Sequence, residues 1–275
     1  GLTSVGSFEH GIYLSNASGT FQATEVTLNQ AFEGGLTVEG GAPAVTIGEL
    51  TTTGGYVGVS FNAPDGVLTL GEPGDAAAMS VTLPFESALL AVAGDITVHG
   101  LRASQVPLQG VQVPSGADLA QLTINGGHFD EIGGHALLVG ADGEAFEPTT
   151  VRAATLRDWV VNSPQRAPIH LNGVDQSVIT VEGLRAEDFA PDVDGIIGWG
   201  AGTITLSDLV LRGQSGAADG VRLVGDGALT VRVTGGELTS AAGDNAVRLV
   251  GDGRPATVDF AVVGAQITGW LGDRI

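Results

Sequence analysis

The chain contains no cysteine and no lysine; its 11 basic residues are all arginine. Without cysteine there is no disulfide framework, no thiolate metal site and no thiol nucleophile. Against those arginines stand 31 acidic residues, a formal charge of −20. Nucleic acid and anionic membrane both require a cationic face, so neither is expected as a partner. The balance fits a surface kept soluble by mutual repulsion, a salty medium or a calcium-rich exterior. Aromatic residues are also scarce, 5% of the chain against 43% hydrophobic residues overall. The core must therefore be built from Val, Leu, Ile and Ala. No apolar run approaches the ~20 residues of a membrane-spanning helix, so direct membrane insertion is not expected. Helical periodicity is missing too. The best attempt, Leu83–Val92 opened by Pro84, reads better as another strand.

What is present is repetition. The stretches DGVRLVGDG from Asp219 and NAVRLVGDG from Asn245 are nearly identical and start 26 residues apart. Weaker copies of the same cadence run through the whole chain. They read GIYLSN from Gly11, GLTVEG from Gly35, VGVSFN from Val57, LLAVAG from Leu89 and GVQVPSG from Gly110. The second half adds ALLVG from Ala136, PIHLNG from Pro168 and GIIGWG from Gly195. The spacing is roughly 20 to 33 residues, that of solenoid coils. Between copies lie segments such as ATEVTLNQ, SVITVEGLRA and GTITLSDLVLRG, which alternate apolar and polar residues and are rich in Val, Thr and Ile. That is the pattern of half-buried strands. The 44 glycines, with Asn and Asp-Gly pairs, punctuate these runs as turns.

Two or three short strands per copy describe one coil of an all-β parallel β-helix. A coil cannot bury its apolar face alone, so stacking must close the core. Alternation places Ile12, Leu36, Val111, Leu137, Ile169, Ile196, Val221 and Val247 in one inward stack. Leu14, Val38, Val113, Val139, Leu171, Leu223 and Leu249 form a second. About ten coils at the strand spacing give a rod of roughly 45 to 50 Å. The expected organisation is a single β-helix domain over residues 1–275, a segment or a subunit with open ends. The chain begins with Gly rather than Met, which suggests a processed form or a piece of something longer.

Through the cadence of an apolar strand, a Gly corner and a Val/Ile-rich strand in each coil, the chain resembles right-handed parallel β-helix proteins of the pectin-lyase-like group. The resemblance covers essentially the whole length. In character it is nearest to autotransporter passengers and fibrous surface proteins. It implies an extracellular or cell-surface structural or adhesive solenoid. Possible partners are copies of itself, stacked through terminal coils into a filament, and glycans. The same group includes polysaccharide lyases, hydrolases and epimerases, and phage tailspikes, so an enzyme and a receptor-binding segment are the alternatives. Fold alone does not decide between them.

Carbohydrate-active members of the group cluster charged residues on one outer strand face. The outward row here reads Tyr13, Thr37, Ser60, Ala91, Gln112, Leu138, His170, Ile197, Arg222 and Arg248, which is mixed and partly apolar. The polygalacturonase-type series NTD, DD, GHG and RIK is absent, and no Lys is there to serve as a lyase base. The densest polar stretch, NGGHFDEIGGH, carries His128, Asp130, Glu131 and His135. Such residues suit acid–base chemistry or metal binding. However, the two histidines are seven apart across Gly-Gly, which matches no compact ligand spacing. The stretch reads as a turn with Phe129 and Ile132 inward and its polar groups in water. His10, His99 and His170 read as solvated histidines.

The sequence therefore assigns no catalytic residue, no metal ligand and no carbohydrate-binding residue. No cofactor is expected. Acidic turns at Asp65, Asp142, Asp192, Asp194, Asp226 and Asp252 suit tight turns, with weak calcium binding as the alternative. Arg222 and Arg248 are expected to stack on adjacent coils, neutralised by Asp226, Asp252 and Glu237, with an acidic glycan across them as the sharper reading.

Overall fold

A computed structural model describes residues 1–142, 147–190, 192–213, 218–251 and 257–270. Its regular elements are 21 β-strands joined in one sheet in which every pairing is parallel. The fold is a parallel β-solenoid of about ten coils. The count is visible in a single ladder. Tyr13, Thr37, Ser60, Leu90, Gln112, Leu138, His170, Ile197, Arg222 and Arg248 pair each with the next, one per coil. Leu90, not Ala91, holds the outward place in the fourth coil. Ala91 pairs with Phe61 and is fully buried.

Each coil has three faces, and the strands often run around a corner without breaking. Ser87–Val106 and Asp118–Ile132 are examples. The repeated nine residues fall on matching rungs, with Val221 against Val247, Arg222 against Arg248 and Leu223 against Leu249. Period-two alternation turns every second side chain inward, so both predicted inward stacks form. Val59 and Leu89 complete the first. The second and third faces add further columns, among them Ile47, Leu70, Val98 and Ile124. One aliphatic core runs unbroken from Val26 to Val247. Burying each such Val, Leu or Ile contributes ~1.5–3 kcal/mol relative to leaving it exposed.

The largest ring in this core enters where the preceding coil makes room. Phe129 and Trp159 pack with ring centroids 4.7 Å apart. Trp159 lies beside Gly127 in register, and a Cβ on Gly127 would sit 2.9 Å from the indole.

One corner explains much of the Gly and Asp content. Gly100, Gly126, Asp158, Gly183, Asp208, Gly235 and Gly264 occupy it in successive coils, all with φ between 52° and 77°. This left-handed conformation is free for glycine and tolerated by aspartate, whereas other residues pay roughly 1–2 kcal/mol. The Asp-Gly signals expected as turns behave differently. Asp65 and Asp226 lie within strands Val57–Leu70 and Val221–Thr234, at corners where the pairing register shifts. Asp252 lies outside the described residues.

Candidate functional site

A polar column occupies the corner two residues before the first inward rung of each coil. From the fourth coil onward it reads Ser87, Gln109, His135, Ala167, Asp194, Asp219 and Asn245. Ser87, Gln109, His135, Asp194 and Asp219 are all buried. Their acceptors serve the next coil. Gln109 Oε1 accepts the His135 backbone N–H at 2.7 Å, and Asp194 Oδ1 accepts that of Asp219 at 2.7 Å. The Asn245 amide in turn donates to Asp219 Oδ1 at 2.7 Å. Buried backbone donors need such partners, so this column is first of all a structural seam.

Where the seam meets the outward ladder, at the sixth and seventh coils, it becomes chemically distinct. His135 and His170 meet edge to face, with His170 Nδ1 3.2 Å from His135 Nε2. His135 Nδ1 lies 2.7 Å from the Ala167 carbonyl, which only accepts, so Nδ1 carries the proton. His135 Nε2 is then the acceptor and His170 Nδ1 the donor, which leaves the His170 Nε2 lone pair free of a proton. Asp142 places Oδ1 3.8 Å from His135 Nε2 and gives its other oxygen to Arg166. Burial pushes the His135 imidazole below its usual range. Burial, and next the neighbouring His135, lower His170 to about 4. Both rings are thus neutral near physiological pH, the form that binds metals. They line a cavity of about 240 Å³ with Asp142, Arg166, Asp194 and Ile197.

His135 is therefore not in water, and His170 is not a lone solvated histidine. The sequence offered two signals that strand alignment passed over. Stepping back two residues in each coil lines up the polar column. Counting one coil forward from His135 puts His170 beside it. The remaining members of NGGHFDEIGGH behave as expected. Phe129 and Ile132 are buried, while His128 pairs with Asp130 at 2.8 Å at the surface. His99 meets Asn125, and His10 bridges Thr37 and Glu33 while stacked on Tyr13.

Further along the strip, Arg222 and Arg248 stack as expected but are neutralised by other residues. Arg222 reaches Asp194 at 3.9 Å and Arg248 reaches Asp219 at 3.7 Å, each one coil back. Glu237 instead binds Arg212, which also holds Glu187 on the third face. The Asp226 side chain and Asp252 lie outside the described residues. Asp194 is no simple turn residue. Burial raises its carboxyl above the ordinary range, against the pull of the Asp219 amide and the arginines.

A second surface lies on early coils. Phe8, Phe32, Tyr56 and Phe85 project from successive coils, the first two 85% and 72% exposed. Phe8 stacks on Phe32 at 6.1 Å and Tyr56 on Phe85 at 5.4 Å. Between the two pairs, a groove of about 540 Å³ is lined by Phe32, Tyr56 and Phe85 over Gly54 and Gly55.

Fold and surface together define a parallel β-solenoid whose one corner carries an aromatic row on the early coils and a histidine–carboxylate cluster farther along. No family model matches the chain, and no curated protein or solved structure matches it at a significant level. Among the described residues, no helix is long and apolar enough to cross a membrane.

Proposed function

We propose that this chain is an extracellular structural and adhesive rod, in which a stiff acidic solenoid displays a glycan-binding face. The observation that carries the reading is the exposed aromatic row. A core this poor in aromatics has little reason to leave three phenylalanines and a tyrosine in water, one per coil, around an open groove. Contiguous exposed apolar surface marks interaction sites. Glu9, Glu33 and Glu86 follow Phe8, Phe32 and Phe85 directly in sequence. With a net charge of −20, they favour a neutral polysaccharide over an acidic one. Affinity electrophoresis in gels containing neutral polysaccharides tests this. Retardation of the wild-type chain that is lost in a Phe32→Ala/Tyr56→Ala variant supports the reading. Equal mobility of both proteins in every gel overturns it.

A second reading draws on a different observation. His135, Asp142, Arg166 and His170 converge in one cavity, as a carbohydrate-active enzyme of the lyase or epimerase type requires. Incubation with acidic polysaccharides, followed by ultraviolet absorbance for a newly formed unsaturated sugar, tests for lyase activity. The absence of product across uronate-containing substrates removes lyase chemistry.

A further inference from the structure

We infer that His135, Asp142 and His170 form a binding site for a divalent transition-metal ion of the zinc type. The inference is independent of the adhesive reading and stands or falls without it.

The geometry leads to the metal in three steps. The ligand atoms of the three side chains all lie within 4.8 Å of one another. The two facing nitrogens are 3.2 Å apart. Two nitrogens bound to one tetrahedral zinc at about 2.05 Å are about 3.3 Å apart, so the imidazoles already sit on one edge of a coordination tetrahedron. In the metal-free chain the same separation is bridged by the His170 Nδ1 proton; on binding, that proton moves to His170 Nε2 and the ion takes its place between the two nitrogens. Asp142 Oδ1 is 3.8 Å from His135 Nε2 and needs only a small side-chain rotation to close the third corner.

The surroundings match those of a built metal site. Metal-binding histidines almost always donate their second ring N–H to a carbonyl or carboxylate, which fixes the tautomer and the ring plane. His135 does this through Nδ1 to Ala167. The ligand carboxylate is likewise held, by Arg166. His135 is 2% exposed and its amide is fixed by Gln109, so the first ligand is rigid.

The donor set decides the ion. Two imidazoles and one carboxylate suit zinc, cobalt, nickel or copper, whereas calcium and magnesium select oxygen. Three protein ligands beside a cavity of about 240 Å³ leave a coordination position open to a small oxygen ligand. Of the acidic turns that suit weak calcium binding, the one at Asp142 differs by having two imidazoles beside it, which turns its preference from calcium to a zinc-type ion.

The test is titration of the chelator-treated full chain with Co²⁺, followed by the visible ligand-field absorption of a low-coordinate site. Displacement by Zn²⁺ and the melting temperature are read alongside. The expected result is one equivalent bound by the wild type, with a zinc-dependent rise in melting temperature. His170→Ala and Asp142→Asn should weaken binding about a hundredfold, while His128→Ala, on the exposed Asp130 pair, should bind like the wild type. His170 is half-buried and Asn is nearly isosteric with Asp, so both variants preserve the core. Absence of a ligand-field band, or wild-type affinity in His170→Ala, overturns the site. Displacement of cobalt by an equal concentration of Ca²⁺ overturns the choice of ion.

Discussion

Replacing Gln109 by Met tests whether the buried corner column holds successive coils together. Gln109 is 7% exposed, and its Oε1 accepts the His135 backbone N–H at 2.7 Å. Met has a similar length and flexibility, so packing is preserved while the acceptor disappears. The His135 N–H is then buried without a partner, which costs ~1–3 kcal/mol. At about 2–4 °C per kcal/mol for a chain of this size class, the midpoint should fall by ~2–12 °C. Solenoids unfold through neighbour interactions and need not be two-state. The comparison is therefore made by calorimetry at one scan rate, with hydrogen exchange at the His135 amide as the local readout. Gln121→Met is the control. Gln121 is exposed and donates only to Thr123, so it should stay within ~0.5 kcal/mol of the wild type. A Gln109→Met midpoint equal to the control, with unchanged protection at His135, would refute the seam as a source of cohesion.

Trp159→Ala should cost ~3–5 kcal/mol through the cavity it leaves, and Gly127→Val ~1–3 kcal/mol through overpacking against the indole. Because the two residues touch across adjacent coils, the double variant should be less unstable than the sum by ~1 kcal/mol or more. Simple additivity in denaturant melts would contradict the packing described. Asp194 supplies a pH prediction. Its folded-state carboxyl is raised by burial, so its contribution to stability is full below the unfolded value and is lost as pH rises through the folded one. Asp194→Asn keeps the acceptor for the Asp219 amide and removes the buried charge. It should melt above the wild type near neutral pH, with the gap closing below the ordinary Asp value of 3.8. A pH-independent gap, or a less stable variant at neutral pH, would count against that account.

How much of this was legible in the sequence depends on distance along the chain. The coil period and the inward stacks follow from alternation, a local property, and they are correct for every rung named. The outward residue of the fourth coil was misplaced by one, at Ala91 instead of Leu90, because LLAVAG is apolar at consecutive positions and alternation loses its phase there. The His135–His170 contact was hidden for another reason. It joins neighbouring coils across two different columns, and strand-centred alignment compares only like with like. The partners of Arg222 and Arg248 were missed because each arginine reaches one coil back, to Asp194 and Asp219, rather than to the acidic residues that follow it in sequence. The aromatic row recurs at the coil spacing in Phe8, Phe32, Tyr56 and Phe85, but it lies ahead of the strand copies, in corner segments that strand-centred alignment does not compare.

The pairing of Trp159 with Gly127 has a consequence beyond packing. A rod whose coils were all alike could shift by a whole coil and recover every contact, as a uniform thread turns in its nut. The oversized ring fits only the neighbour that lacks a side chain, so it acts as a keyway that admits one alignment. Between the repeated VRLVGDG stretches Arg lies on Arg and Leu on Leu; the nearest such key is one coil back, where Leu223 lies over Gly198. The middle coils thus fix the phase of the whole molecule, while the later, self-matching coils are where duplication could lengthen it without a new fit.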